Sequence, residues 1–222
     1  MNKEIKILYE DTAIIVCIKP AGIATQTAKI ASKDMVTMLK NHIAKTASNG
    51  REPYLAVIHR LDQPVSGILI FAKTKQAAGI LNKQMQTEGF GKYYKALLSK
   101  IPTNKEGILE NYMIHDKIKN ISRICDKKET GAKKACLLYK VESQKDKRGT
   151  WVQIELKTGR HHQIRVQMAG MDCPIVGDKK YNKENENTSD RLMLIAYKLE
   201  FTHPITKKRM RFEHMEGVDE EI

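Results

Sequence analysis

Short runs rich in β-branched residues follow one another along this chain with few helices between them. That succession constrains the fold more than any other feature. Residues 12–18 (Thr-Ala-Ile-Ile-Val-Cys-Ile) end at the turn signal Lys19-Pro20-Ala21-Gly22. Further strands are predicted at 54–58, 68–72, 93–98, 107–114, 121–125, 135–141, 151–157, 192–201 and 208–213. Helical spacing is confined to three places. Met35, Met38, Leu39, His42 and Ile43 mark a helix over about 33–46; Ala78, Leu81 and Met85 mark another over about 75–88 that stops near Gly89. A short helix is predicted from His161 to Ala169, with Gly170 as its cap. Strands that mostly follow strands predict an α+β fold, a mixed and largely antiparallel sheet with helices packed on it.

At 222 residues the chain fits one domain, taken as 1–222. Its longest apolar runs, such as Ala13–Ile18 and Ile68–Ala72, fall far short of the roughly 20 residues of a membrane helix. No apolar stretch follows Met1-Asn2-Lys3-Glu4, so a secretory signal is not expected. Cys17, Cys125, Cys136 and Cys173 form no C-x-x-C pair, which predicts reduced, mostly buried thiols in a cytoplasmic protein. The polar stretch Asn182–Asp190 reads as a solvated loop.

Charge supplies the first functional clue. The net charge is +13, and residues 1–150 carry all of it, with 27 basic against 14 acidic residues; residues 151–222 hold 12 of each. Such a surplus suits a polyanionic partner, because phosphate neutralisation and counterion release dominate nucleic-acid affinity. A protein that is merely basic has the same composition.

Two segments concentrate chemistry. His59-Arg60-Leu61-Asp62-Gln63-Pro64-Val65-Ser66-Gly67 lies between two apolar strands, in a loop containing Pro64 and Gly67. Catalytic groups favour loops held between rigid elements, although a surface turn with an incidental Arg–Asp pair has the same composition. In Thr158-Gly159-Arg160-His161-His162-Gln163-Ile164-Arg165, two arginines flank two histidines at a predicted helix amino terminus, a natural place for an anion. Zinc is a poor fit there, because adjacent histidines point different ways on a helix and no third ligand has suitable spacing.

Together, H-R-L-D-x-x-x-S-G followed by F-A-K, and the later T-G-R-x-H-Q-I-R, resemble the RluA family of RNA pseudouridine synthases. Four further stretches are similar to that family: Ile7–Asp11 with Lys19–Gly22, Lys92–Leu97, Pro174–Asp178 with Tyr181, and Phe201–Pro204. The likeness runs from about residue 6 to 213. It implies a catalytic domain alone, without the family's optional amino-terminal RNA-binding domain, and a sheet split by a central catalytic cleft. The implied reaction isomerises uridine to its C-glycoside in ribosomal or transfer RNA, with no cofactor and no metal, by a protein taken to be monomeric.

The resemblance also assigns residues. Asp62 matches the essential aspartate, acting either as nucleophile on the ribose or as a base that removes a ribose proton. Both roles need an ionised carboxylate, and Arg165 is the implied cationic partner. Tyr94 matches the active-site tyrosine, whose ring stacks on uracil and whose hydroxyl is a candidate for the carbon-5 proton; taken alone, it reads as a core aromatic. Arg60 would fill the space left by the extracted uridine, with His59 shaping the loop, whereas a plain phosphate contact is the simpler reading of Arg60. Charge rather than the resemblance adds Arg160, Lys73 and Lys92 as expected RNA contacts, and Lys19 reads as structural or phosphate-facing. Most relatives in that family carry Arg or Lys, then a polar residue and Thr, where this chain has Gln63-Pro64-Val65, a change beside Asp62 that bears on target choice. Gln167 and Ile195 replace histidines at supporting positions. The competing classes are a non-catalytic RNA-binding or ribosome-assembly protein on the same fold, an N-glycosidase, which would want a second carboxylate, and a phosphodiesterase using His161 or His162.

Overall fold

A computed structural model describes residues 5–28, 33–46, 51–87, 89–182 and 191–215. The chain divides into two compact units: Met1–Gly91 with Ala196–Ile222, and Lys92–Ile195.

The first unit holds β1 (Ile7–Glu10), β2 (Ile14–Lys19), α1 (Met35–Thr46), β3 (Ala56–Val57), β4 (Ser66–Ala72) and α2 (Lys75–Gln84). Most of β10 (Leu194–Thr202) and all of β11 (Arg209–Glu213) complete it. Its strands run β1-β2-β4-β10, with β3 on β4 and β11 on β10. β2 and β4 are antiparallel, Ile14 opposite Ala72 and Ile18 opposite Ile68. Both strands are apolar without alternation because both faces are covered. Ile14, Val16, Ile68, Ile70, Leu199 and Phe201 pack with Ala77, Ala78 and Leu81 of α2. The alternate positions Ile15, Cys17, Leu69 and Phe71 point the other way and are equally buried. The Thr74 hydroxyl caps α2 by accepting from the Ala77 N–H at 3.1 Å.

The second unit contains β5 (Gly91–Leu98, from Lys92 onward), β6 (Glu106–Asp116), β7 (Ile121–Cys125), β8 (Lys133–Asp146), β9 (Gly149–Leu156) and α3 (Gln163–Gly170). Its strands run β5-β9-β8-β6-β7, each neighbour antiparallel to the next. The α+β fold and the antiparallel pairing are as the sequence predicts.

Three local expectations need correction. Gly67 lies inside β4, not in the loop before it. It takes φ +130°, and a Cβ there would sit 2.3 Å from the Ala196 carbonyl oxygen, so a close backbone approach requires glycine. α3 begins two residues later than predicted because His162 adopts a left-handed φ of 54°. It also ends one residue later, with Met171 as its cap; Gly170 sits within the helix, where a Cβ would meet Ile124 Cδ1 at 2.5 Å. α2 stops at Gln84, beyond which the Thr87 hydroxyl donates to the Gln84 carbonyl in a terminal turn. All four cysteines are free thiols; Cys17 and Cys173 are buried and the other two are half-buried. Among the described residues no helix is long and apolar enough to cross a membrane. Of the stretch Asn182–Asp190, Asn182 is buried rather than solvated, its Nδ2 donating to the Ile175 carbonyl at 3.1 Å, and 183–190 lie outside the described residues.

Candidate active site

In the first unit, the segment from His59 to Gly67 is stitched on both sides of Asp62 to residues 19–25. Leu61, just before it, is clamped by the buried Thr25: the Leu61 N–H donates to Oγ1 at 3.1 Å and the hydroxyl donates to the Leu61 carbonyl at 3.0 Å. Gln63, just after it, pairs reciprocally with Gly22. The Gly22 N–H donates to the Gln63 carbonyl at 2.8 Å, and Gln63 Nε2 donates to the Gly22 carbonyl at 2.9 Å. The Val65 N–H donates to the Asp62 carbonyl at 3.0 Å and closes the turn.

Lys19 holds these pieces together from beneath. Its side chain is fully buried, and Nζ donates to the carbonyls of Pro20 at 3.0 Å, Ile23 at 2.6 Å and Gln63 at 3.0 Å. Burial disfavours the ammonium and pulls its pKa down to about 8, against the attraction of the Asp62 carboxylate, which works to hold the proton. That attraction is mutual, so a buried cation and the half-buried Asp62 support one another's charge. Of the two roles the sequence allows Lys19, structural or phosphate-facing, it takes the structural one and points inward. Arg60 is exposed, whereas the neighbouring His59 is buried with its ring edge-on to Phe90 at 5.8 Å. Lys73 is ion-paired with Glu10 at 2.6 Å, partly buried.

The second unit places Tyr94 and Arg165. Tyr94 is a buried residue of β5, opposite Ile154 of β9. Arg165 is only 4% exposed, and its Nε and Nη2 donate to the two oxygens of Asp178 at 2.7 and 2.6 Å. Such a bidentate pair fixes the guanidinium plane. Asp178 in turn accepts from the N–H groups of Lys180 and Tyr181. The Tyr181 ring lies under the Arg165 guanidinium at 5.1 Å, and its hydroxyl accepts from the Ser122 N–H at 2.8 Å. Asp178 and Tyr181 stand in the motif noted above, but their service to Arg165 is a structural finding.

The two histidines do not splay as helix neighbours would, because both precede the first turn of α3. His161 and His162 stack at 3.7 Å, and His115 stacks on the far side of His161 at 3.8 Å. His162 Nδ1 lies 2.8 Å from the Tyr181 hydroxyl. Burial above all, then the positive charge of Arg165, pushes the His162 pKa down to about 2, so the ring is neutral. Before the helix, the Gln163 side chain accepts from the Thr158 hydroxyl at 2.7 Å and the Arg160 N–H at 3.0 Å, fixing the turn. Arg160 is exposed, and its Nε donates to the Lys134 carbonyl. Burial and the charge of Arg160 lower the pKa of Lys92. Gln167 is buried and bonds to the Leu109 carbonyl and Asn111 Oδ1, a packing role.

Asp62 therefore belongs to the first unit, and Tyr94 and Arg165 to the second. The first unit holds its acid in a loop fixed on both flanks, and the second holds a strand tyrosine and a guanidinium locked by its own carboxylate. A family model described as RNA pseudouridylate synthase matches residues 13–170. The chain is thus a pseudouridine synthase, an isomerase acting on RNA, and it belongs to the RluA family. It is 31% identical to an uncharacterized RNA pseudouridine synthase of Aquifex aeolicus, over 96% of this chain and 69% of that protein. It is 32% identical to the dual-specificity RNA pseudouridine synthase RluA of Vibrio parahaemolyticus, over 89% of this chain and 78% of the relative. Its fold is similar to that of human RNA pseudouridylate synthase domain containing 4, with a TM-score of 0.76 at 22% identity, covering 95% of this chain and 88% of that one.

Proposed function

We propose that this chain isomerises uridine in structured ribosomal or transfer RNA, with Asp62, Tyr94 and Arg165 as its catalytic residues. The bond from ribose C1′ to uracil N1 breaks, the base rotates while bound, and C5 bonds to C1′; C5 gives up a proton to solvent and N1 takes one up, so that the product is an isomer of the substrate. Asp62 attacks the ribose or takes a ribose proton, Tyr94 stacks on the base and takes the C5 proton, and Arg165 favours the ionised form of Asp62. The observation that carries this reading is the locking of Asp62 from both flanks, through Thr25, Gly22 and Lys19. A reacting carboxylate needs that positional precision, whereas a group that only binds RNA does not.

Arg60, exposed beside this loop, enters the space left by the flipped nucleotide, and His59 supports it against Phe90. Arg160 and Lys92, two crowded cations, take phosphate. Lys73 joins them only by sharing its pair with Glu10. Gln63 spends its amide on Gly22 where relatives have a cation, so it stiffens the loop and leaves target choice to other surfaces. We read residues 1–222 as one catalytic domain, acting as a monomer in the cytoplasm. The family match at 13–170, which draws on both units, supports the first part of that reading.

The test uses unmodified ribosomal and transfer RNA transcripts incubated with the protein. Pseudouridine is then mapped by the reverse-transcription stop at its carbodiimide adduct. A discrete stop with the parent protein, absent with Asp62→Ala, is the expected result. Binding without any stop in either RNA class would favour the non-catalytic binder.

A further inference from the structure

The turn between β6 and β7 carries an isoleucine with no folding role. Ile118 is 97% exposed, the most exposed of the large apolar side chains among the described residues. The turn is built without it. Asp116 Oδ1 accepts from the N–H groups of Ile118 at 2.9 Å and Lys119 at 3.0 Å. Asn120 takes the left-handed φ of 50° that closes the turn, and Lys180 Nζ donates to its carbonyl at 2.8 Å. The tip is thus preorganised by polar contacts, with its apolar side chain in water.

Its surroundings select the partner. Lys117 and Lys119 flank Ile118 and are exposed, as are Lys179 and Lys180 beside the turn. The acid of the tip, Asp116, has one oxygen committed to the backbone of the turn. An apolar knob set among ammonium groups complements a polyanion that also offers flat apolar faces. RNA does so, through phosphates alongside bases and riboses. We propose that the 116–121 turn docks on the substrate RNA. Ile118 packs on an exposed base or ribose, and Lys117 and Lys119 meet the phosphates on either side. The turn thereby helps to select which RNA is modified. This inference rests on the RNA-modifying reading above.

The test compares the full-length protein with Ile118→Ser and with the double variant Lys117→Gln, Lys119→Gln. The probe is a fluorescein-labelled RNA hairpin of about twenty nucleotides with uridines in its loop, titrated over a range of salt; melting should shift by no more than about a degree, since the positions are exposed. The double variant should flatten the slope of log affinity against log salt by about 1.4–1.8, the loss of two phosphate contacts. Ile118→Ser should weaken binding about three- to tenfold with the slope unchanged, the loss of one apolar or stacking contact. Parental affinity and slope in both variants would overturn the inference. So would unchanged RNA binding accompanied by lost self-association of Ile118→Ser in sedimentation, which would make the tip a protein contact. Tritium release from 5-tritiated bulk RNA by the parent protein scores the synthase reading separately. Release without any effect of the variants sinks the docking turn alone; weakened binding by the variants without release sinks the synthase reading alone.

Discussion

The loop around Asp62 and the cluster around Arg165 are both rigid, but they are held by opposite means. The first is a web of backbone carbonyls gathered by one buried ammonium, with no carboxylate bonded directly to Lys19 Nζ among the contacts described. The second is a closed ion pair, Arg165 with Asp178, walled by Tyr181 and a neutral histidine. Lys19 and His162 are both bases whose pKa burial has lowered, but in windows that do not overlap. Each region should therefore reveal itself at its own pH and through its own substitution.

The largest effect belongs to the second region. Asp178→Asn would leave the Arg165 guanidinium buried without its counter-charge, at a cost of about 3–5 kcal/mol in chemical denaturation. A loss under 1 kcal/mol would mean that the pair is not the support described.

Lys19 comes next. Its folded pKa of about 8 lies below the ordinary 10.5, so between those values the unfolded chain binds the extra proton and stability rises with pH. The parent should gain about 3 kcal/mol from pH 8 to pH 10.5 relative to Lys19→Met, which lacks the titration. Activity should move the other way, because losing the proton removes one of the three carbonyl contacts beneath Asp62. Stability curves of parent and variant that stay parallel across this window would break the comparison.

His162 gives the acid counterpart. Its folded pKa of about 2 lies below the ordinary 6.5, so stability should fall as pH drops through 6.5. Between pH 7 and pH 5 the parent should lose about 2 kcal/mol more than His162→Asn. The smallest effect is expected for Gln63→Ala, which removes an exposed bond to Gly22 and should cost about 0.5–1 kcal/mol. RNA selectivity should be unchanged if target choice lies elsewhere.

How much of this was legible in the sequence depended on how local each cause is. Strands such as Ile121–Cys125 follow from local side-chain chemistry and were placed to the residue. The Asp62 loop stood out because its chemistry lies in adjacent positions. Gly67 was assigned to that loop because glycine reads as punctuation, while its real constraint is the backbone of Ala196, far along the chain. Lys19 was likewise opaque, since its contact with Gln63 spans 44 positions and no periodicity encodes it. The His161–His162 stack was hidden by the left-handed residue that delays α3, a conformation uncommon enough in any non-glycine residue that helical spacing does not anticipate it.

The most direct test of the account is tritium release from RNA labelled at uracil carbon 5, made in cells lacking this gene. The assay compares the parent protein with Asp62→Asn, each shown to be folded and to bind RNA. The parent should release one tritium per modified uridine and the variant none above background, with RNA affinity retained. Release that survives Asp62→Asn would contradict it, because the residue that the first unit holds so firmly would not be the one doing the chemistry.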